Sequence, residues 1–309
     1  MRKQTFCSRL WNEVYINKHG NVFSCCCEKP EAIGNIYRER LQDICNGEII
    51  QSLRQKSLSG RLECFDRCKL FLKDKQTPGK ASLISDYGSF KRLKISFADT
   101  CNIHCLMCRR SSDDKSCLDF NAVVKQINLS PFNSIEIQGG EPLFIECAKK
   151  FFDYAASLNK KTSFLTNGIL INDEWAQKIA AHSSFIYFSL NAATKKTHEL
   201  INRGSKWELV LENIQKIRRK RDELHTPLKI IGHMTIISKN LEEIPAFINS
   251  FSKLGFDTVN FIYDIWVPFY LRCHFFQAKE LSLRIKEAIR NSENRLLIRD
   301  HCLKLLGLV

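Results

Sequence analysis

The sequence predicts an α/β fold, because short apolar runs typical of buried strands alternate with longer segments of helical periodicity. Strands that are buried on both faces are nearly continuous in apolar residues, and connecting helices cover them, so these strands are expected to be parallel. The six apolar runs occupy residues 93–97, 135–138, 163–165, 185–190, 229–237 and 258–262. The helical segments that follow them occupy residues 120–127, 147–158, 174–181, 208–219, 241–254 and 277–289.

Three cysteines lie directly after the first of these strands. Cys101, Cys105 and Cys108 have the spacing C-x3-C-x2-C, and a residue spans at most about 3.6 Å, so the three thiols can close around one small object. Three thiolates on a four-iron cluster leave one iron without a protein ligand, where chemistry can take place. The alternatives are a zinc site, which usually takes four nitrogen or sulfur ligands, and thiols without a ligand.

This cysteine loop resembles that of the radical S-adenosylmethionine (SAM) superfamily, although Leu106 stands where the family often has an aromatic residue. The resemblance implies an incomplete (β/α)6 barrel, similar to a TIM barrel, over residues 92–291. It also implies that Cys101, Cys105 and Cys108 bind a [4Fe–4S] cluster whose open iron binds SAM. Motifs after the first four strands agree with an active site at the carboxyl ends of parallel strands.

A pair of glycines follows the second strand, in the segment Gly139, Gly140 and Glu141. Paired glycines let the backbone approach a ligand without interference from a Cβ atom. Without the cysteine loop, this segment would be interpreted as an ordinary turn between a strand and a helix. In the family, a Gly-Gly-Glu segment at this place binds the amino group of SAM, so the resemblance implies that role here.

The fourth strand ends in two polar candidates, Ser189 and Asn191, and Arg203 follows about one helix later. The resemblance implies that a polar side chain here contacts the SAM ribose and that Arg203 contacts the SAM carboxylate, which suits a guanidinium with two parallel donors. Ser and Asn are equally common as hydrogen-bonding turn residues. His233 on the fifth strand could face the pocket or lie in the core.

A second set of cysteines precedes the strands of the barrel: Cys7, Cys25, Cys64 and Cys68. A hairpin signal around residues 17–21 returns Cys25 towards the start of the segment. The pattern resembles the SPASM and twitch extensions of radical SAM enzymes and implies a short, twitch-like form in which four thiolates bind an auxiliary [4Fe–4S] cluster. A four-cysteine zinc module is the alternative, and a neighbour of Cys25, residue 26 or 27, could replace it as the ligand.

The expected organisation is a small α+β cysteine-rich domain at residues 1–72, a linker at 73–91, the barrel at 92–291 and a helical tail at 292–309. In most relatives the extension follows the barrel, whereas here it precedes it. A chain of 309 residues is long enough to bury the core of one large and one small domain.

Charge and composition narrow the class of partner. The net charge of +14 favours acidic partners, but no basic–aromatic stripe is present and residues 216–221 are interpreted as a solvated helix end, so nucleic acid is not expected. The amino terminus has no apolar signal segment, and no apolar run is long enough to span a membrane. The 14 cysteines, clustered at ligand spacings, therefore favour metal binding in a reducing cytoplasm.

The resemblance implies reductive cleavage of SAM to a 5′-deoxyadenosyl radical that abstracts hydrogen from a substrate, with electrons from a reductant such as flavodoxin or ferredoxin. Relatives with such extensions mostly modify peptides or proteins, which favours a peptide or protein substrate and an auxiliary cluster that accepts an electron. The alternatives are a small-molecule dehydrogenase or cyclase acting on a sugar or nucleotide, and a non-catalytic zinc or iron–sulfur protein. The intact cysteine loop and Gly-Gly-Glu segment favour catalysis.

Overall fold

A computed structural model describes residues 6–25, 31–62, 81–109, 114–292 and 297–309. The strands of these described residues are β1 Glu13–Ile16, β2 Asn21–Phe23, β3 Gly34–Asn35, β4 Arg92–Ser96, β5 His104–Cys105, β6 Ser134–Gln138, β7 Thr162–Thr166, β8 Ser183–Ser189, β9 Asn202–Arg203, β10 Lys229–Ile236, β11 Thr258–Tyr263 and β12 Ile298–Arg299. The α-helices are α1 Arg9–Asn12, α2 Leu41–Ile44, α3 Glu48–Leu58, α4 Phe120–Gln126, α5 Glu146–Ser157, α6 Asp173–His182, α7 Lys195–Ile201, α8 Trp207–Glu223, α9 Ile244–Ser250, α10 Val267–Cys273, α11 Phe275–Asn291 and α12 His301–Leu305.

The predicted alternation of strands and helices is confirmed. The six apolar runs form β4, β6, β7, β8, β10 and β11, and each of the six helical segments contains a helix. The chain divides into two compact units, one of residues 1–100 and 112–162 and the other of residues 101–111 and 163–309. No helix of the described residues combines the length and the apolar character needed to cross a membrane.

In the first unit, the sheet has the strand order β3-β2-β1-β4-β6. β4 pairs in parallel with β6 on one side, where Leu93 lies opposite Ile135, and with β1 on the other, where Val14 lies opposite Leu93. β1 and β2 form the predicted antiparallel hairpin. Val14, Leu93 and Ile95 are fully buried, which stabilises the strands on one face of the sheet. The cysteine-rich amino-terminal region therefore continues the sheet beyond the first barrel strand.

In the second unit, β8, β10 and β11 are parallel neighbours, and β12 adds to the edge of β11. The tail at 292–309, which was predicted to be helical, contributes this short strand as well as a helix, α12. Ile298, which is nearly buried, lies opposite Val259, and among the described residues of the tail the α-helix spans His301–Leu305. Pairing with the tail satisfies backbone groups at the edge of β11.

A buried arginine joins the helices of the amino-terminal region to the segment that precedes β4. Arg54 on α3 is fully buried and donates hydrogen bonds to the carbonyl oxygens of Leu10 (3.0 Å), Cys45 (3.0 Å) and Leu83 (2.7 Å). A fourth bond reaches Asn46 Oδ1 at 3.1 Å. Burial lowers the pKa of Arg54 to about 10, so the side chain stays charged at neutral pH.

Residues 81–91 were predicted to belong to the linker, and they contact Arg54 and Trp11. The Arg54 guanidinium lies 5.7 Å from the centre of the Trp11 ring and 5.8 Å from that of Phe90, distances at which a cation is attracted to an aromatic ring. Trp11 Nε1 donates to the Ser82 carbonyl oxygen at 2.7 Å. Residues 73–80 of the predicted linker lie outside the described residues.

We expect Arg54→Ala to lower the free energy of unfolding by about 3 kcal/mol, because three carbonyl oxygens lose a donor that is charged and buried. Urea unfolding measures the effect. The control is Arg40→Ala, which removes an exposed ion pair with Asp43 and should change stability by about 0.5 kcal/mol or less. Equal unfolding midpoints for the two variants would contradict the role assigned to Arg54.

Candidate functional site

The cysteine loop is positioned by a short antiparallel pair of strands in the second unit. β5 pairs with β9, so that Cys105 lies opposite Asn202 and His104 lies opposite Arg203. The Leu106 N–H donates to the Ile201 carbonyl oxygen at 2.9 Å. Cys101 and Cys105 are half-buried and Cys108 is exposed. These bonds fix the middle of the loop against the segment that follows α7.

Asn202 connects that segment to the carboxyl end of β8. Its side chain is almost fully buried and donates to the carbonyl oxygens of Ser189 (2.8 Å) and Leu190 (3.3 Å). Its Oδ1 accepts from Asn191 Nδ2 at 2.9 Å. Through its backbone Asn202 also faces Cys105, so one residue links the cysteine loop to the strand end. This residue was missed from the sequence, because an asparagine four residues after a histidine gives no local signal of a long-range contact.

Asn191, a predicted SAM-binding residue, forms hydrogen bonds to other residues of the protein. Its φ is +60°, a left-handed conformation that Asn tolerates better than most residues. Its Oδ1 accepts from the Thr235 N–H at 2.8 Å, and its carbonyl oxygen accepts from Asn240 Nδ2, also at 2.8 Å. Because the side chain is nearly buried and satisfied, Asn191 holds together the ends of β8 and β10. Contact with SAM stays a prediction for this residue.

The other two polar candidates have different environments. Ser189 is half-buried at the end of β8, directly opposite His233 of β10, and Arg203 is exposed on β9. His233 is nearly buried, with Asn260 Nδ2 at 3.3 Å from its Nδ1, and burial lowers the pKa of His233 to about 4. The ring is therefore neutral at neutral pH. Ser189, His233 and Asn260 form a polar row across three neighbouring strands.

Asn167 is a second residue that the sequence did not single out as part of the site. It follows β7, and its Nδ2 lies 3.8 Å from Cys101 Sγ and 2.7 Å from Asn102 Oδ1. An amide that donates towards a thiolate sulfur tunes an iron–sulfur cluster, because it stabilises negative charge on that sulfur. The turn Thr166-Asn167-Gly168 at the carboxyl end of a strand was the available signal, but it predicts a turn rather than a partner.

In the first unit, the Gly-Gly-Glu segment lies against the residues that lead into the cysteine loop. The Gly140 N–H donates to the Ala98 carbonyl oxygen at 2.8 Å, and the Glu141 N–H donates to that of Thr100 at 3.0 Å. A Cβ on Gly139 or Gly140 would overlap these same two backbone oxygens. Gly139 also has φ +127°, which L side chains rarely adopt. Both glycines are therefore required for the approach of the two segments.

A lysine of the amino-terminal hairpin connects both flanks of the cysteine loop. Lys18 Nζ lies 2.7 Å from an Asp99 carboxylate oxygen and 2.6 Å from one of Asp114. The ammonium group holds the pKa of the Asp114 carboxyl well below its usual range. Asp99 precedes Cys101 by two residues and Asp114 follows Cys108 by six. Within the first unit, the hairpin turn is thus linked by charge to the chain on each side of the loop.

The donor set of the loop fits a four-iron cluster, because three thiolates at this spacing can each bind a different iron. Among the residues that the structure describes, no three His, Cys, Asp or Glu side chains converge where one ion could bind. A four-iron cluster does not require such convergence, because each thiolate binds a different iron. Cys101, Cys105 and Cys108 supply three sulfur donors within eight residues, and Asn167 provides a hydrogen bond to the first.

The four amino-terminal cysteines are described in part. Cys7 and Cys25 are half-buried, and the Cys7 N–H donates to Ser57 Oγ near the end of α3 at 2.9 Å. Cys25 lies two residues after Phe23, which is opposite Tyr15 in the hairpin. Cys64 and Cys68 lie outside the described residues, as do the alternative ligands at positions 26 and 27. The four-cysteine ligand set stays a prediction.

A cavity of about 670 Å³ opens beside the end of the cysteine loop, within the second unit. Residues 106–109 line one side, and residues 237–239 and α10 line the other. Arg109 Nη2 lies 2.8 Å from Asp264 Oδ2, so an ion pair connects the loop to the residue that follows β11. Most of the lining is apolar or aromatic, with Trp266, Phe269 and Tyr270 supplied by α10 and the residue before it.

Comparison with known families agrees with this arrangement. The model of the radical SAM superfamily matches residues 95–262, more than half of the chain. The chain belongs to the radical SAM superfamily. An iron–sulfur cluster-binding domain, SPASM, matches residues 7–69. The predicted membership and the order of the two parts are confirmed, and the cofactors are a [4Fe–4S] cluster, SAM and an auxiliary iron–sulfur cluster.

Individual relatives match parts of the chain. The GTP 3',8-cyclase of Clostridium botulinum is 27% identical over 173 residues, which cover 52% of this chain and 52% of the cyclase. RSAD2 of Danio rerio, an S-adenosylmethionine-dependent nucleotide dehydratase, is 25% identical over 156 residues, or 48% of this chain and 43% of that protein. The chain therefore spans about half the length of the curated relatives it matches.

A solved structure extends the likeness of fold to most of the chain. SuiB of Streptococcus suis, bound to the precursor peptide SuiA, is similar over 92% of this chain and 70% of SuiB, with a TM-score of 0.51 and 15% identity. At that identity the likeness concerns the fold. Together with the parallel strands and the family match, it confirms the predicted incomplete (β/α)6 barrel preceded by a small cluster-binding domain.

Replacing Asn202 with Asp should reduce iron retention and SAM cleavage by roughly 10- to 100-fold, because a carboxylate would face the oxygens of Ser189 and Leu190 and release the loop. The control is Asn213→Asp. Asn213 is equally buried and donates to the Gly168 carbonyl oxygen in the turn after β7, and not to the end of β8. Both variants should lose stability, and equal iron retention by the two would contradict a specific role for Asn202.

Replacing Asn167 with Ala should make the reduction potential of the radical SAM cluster more negative, because the sulfur of Cys101 loses a hydrogen-bond donor. A redox titration followed by electron paramagnetic resonance measures this shift. Asn172→Ala is the matched control, since Asn172 caps α6 and its loss should cost about 1 kcal/mol of stability without changing the potential. An unchanged potential in Asn167→Ala would exclude the contact as a tuning interaction.

Proposed function

We propose that this chain is a peptide- or protein-modifying radical SAM enzyme in which the auxiliary cluster accepts an electron from the substrate. The observation that carries the proposal is the open, aromatic-walled cavity beside the cysteine loop. Cys108 lies in the wall of this cavity, so a substrate bound in the cavity would be close to the proposed cluster. SuiB, which is similar in fold, binds a precursor peptide.

The roles of the residues follow from their positions. We propose that Cys101, Cys105 and Cys108 hold the radical SAM cluster and that Gly139, Gly140 and Glu141 bind the amino group of SAM. When bound, the cluster and SAM together supply a 5′-deoxyadenosyl radical, which abstracts a hydrogen atom from the substrate. The backbone of Gly140 and Glu141 is fixed by hydrogen bonds to Ala98 and Thr100, so this segment is preorganised for a ligand.

Ser189 and Arg203 are proposed as contacts to the ribose and the carboxylate of SAM, respectively. Arg203 is exposed, and its partner in the short strand pair is His104 of the cysteine loop, which puts its backbone next to the proposed cluster site. Asn191 is proposed to act chiefly by holding the end of β8 in place, since its amide is engaged with Ser189 and Asn202.

The auxiliary cluster is proposed to be bound by Cys7, Cys25, Cys64 and Cys68. A cluster with four thiolate ligands has no open iron for a substrate, which favours electron transfer over substrate binding. An electron donor of the flavodoxin or ferredoxin type would then reduce the radical SAM cluster. Thiols at ligand spacing and the need for a reductant favour a reducing cytoplasm as the location.

A nucleotide substrate is the second candidate. It is favoured by two relatives whose names include GTP and nucleotide, although the chain matches about half of each. Lys239 and Arg109 line the cavity and are suited to phosphate, but Arg109 is already paired with Asp264. The aromatic wall would stack on a base as well as hold a peptide side chain.

Two cysteine variants test the proposal after anaerobic reconstitution. Wild type should contain about eight irons per chain, and the triple Ala variant of Cys101, Cys105 and Cys108 about four, without 5′-deoxyadenosine formation. Replacing Cys64 and Cys68 should leave SAM cleavage intact and stop formation of the oxidised product. Zinc in place of iron would contradict the mechanism. If wild type contained about four irons and the triple variant contained none, the auxiliary cluster would be excluded.

A further inference from the structure

An exposed apolar surface extends from the cavity across α10 and the first turn of α11. We call it the α10 surface and define it by Ile265, Trp266, Phe269, Phe275 and Phe276. The exposed fractions of these side chains are 55% for Ile265, 68% for Trp266, 63% for Phe269, 64% for Phe275 and 86% for Phe276. Large apolar side chains that are contiguous and exposed mark a surface that contacts another molecule.

The α10 surface is continuous with two cavities. Trp266 and Phe269 line the cavity beside the cysteine loop, which also contains Cys108, while Phe275 lines a second cavity of about 550 Å³ on the other side of α10. A nucleotide would fill the first cavity and leave Phe275 and Phe276 in water. A flat bilayer would contact the aromatic side chains but could not reach Cys108 inside the cavity. An extended chain can occupy both cavities at once.

The charges around the α10 surface have one prevailing sign. Lys239 lines the first cavity, and Arg272 and Lys279 line the second. All three are exposed, and none forms an ion pair with a carboxylate in the described part of the chain. Asp264, the acidic residue of the two linings, is neutralised by Arg109. The charges of the two cavity linings that remain available are cationic, so they favour a partner that carries carboxylates.

We propose that the α10 surface is the docking site for an acidic peptide segment whose bulky apolar side chains pack on Trp266 and Phe269 and whose carboxylates pair with Lys239, Arg272 and Lys279. This inference rests on the proposed function, since the peptide is the substrate of that reaction. Aromatic side chains supply most of the affinity of such sites, and the cations supply selectivity and salt dependence. One apolar residue of the peptide enters the first cavity, where Cys108 belongs to the wall.

The test measures binding of a short fluorescent peptide, in which phenylalanines are flanked by aspartates, to the full-length chain by anisotropy. The double variant Trp266→Ala and Phe269→Ala should bind roughly tenfold or more weakly. Lys239→Glu should weaken binding and reduce its dependence on salt. The control is Leu283→Ala on α11, which is 62% exposed and outside both cavity linings. A peptide with lysines in place of the aspartates should bind much more weakly than the acidic one.

Separate measurements test the docking site and the proposed radical SAM reaction. SAM cleavage without peptide, measured as 5′-deoxyadenosine formed by wild type, tests the radical SAM reaction separately. SAM cleavage with no peptide binding, or with equal binding by the double variant and the Leu283 control, would overturn the docking site alone. The docking site would also be overturned if the peptide did not bind and another ligand did. That ligand would be vesicles of anionic phospholipid or GTP, with binding that depends on Trp266 and Phe269.

Discussion

The position of the cysteine loop depends on Asn202. The loop has little regular structure, so its own backbone cannot fix three thiols in space. Asn202 meets this requirement from two sides, since its backbone pairs with Cys105 while its side chain donates to the last carbonyl groups of β8. A buried amide is well suited to this task, because it is neutral and can satisfy donors and acceptors together. Burial also strengthens these bonds, because water does not compete for them.

The same hydrogen-bond network limits how single residues can be assigned from a family pattern. Asn191 occupies the position expected for a ligand contact, yet its side chain and carbonyl oxygen connect β8, β9 and β10 through Asn202, Thr235 and Asn240. A residue with these bonds affects the site by positioning the strand end. The polar residues after a barrel strand therefore divide into those that bind a ligand and those that hold the edge of the sheet together.

The sequence predicted the barrel strands and helices well, because their apolar periodicity reflects burial, which is a local property of each segment. It also indicated the cysteine loop and the Gly-Gly-Glu segment as candidate sites from residue type and spacing, and their ligand roles stay predictions. It could not predict Asn167, Lys18 or Arg54, whose partners lie far away in the chain. The strand in the tail was missed for a related reason, because β12 forms through pairing with the distant strand β11.

The place of the cluster-binding region before the barrel has a geometric basis. β1 and β4 are parallel, so their carboxyl ends lie at the same edge of the sheet, and that edge is where active sites of such folds are built. The turn after β1 therefore lies beside the residues after β4, and Lys18 of this turn contacts Asp99, two residues before Cys101. A region that continues the sheet past the first barrel strand reaches this edge by strand pairing. Strand pairing can bring the cluster-binding region to this edge whether the region precedes or follows the barrel in the sequence.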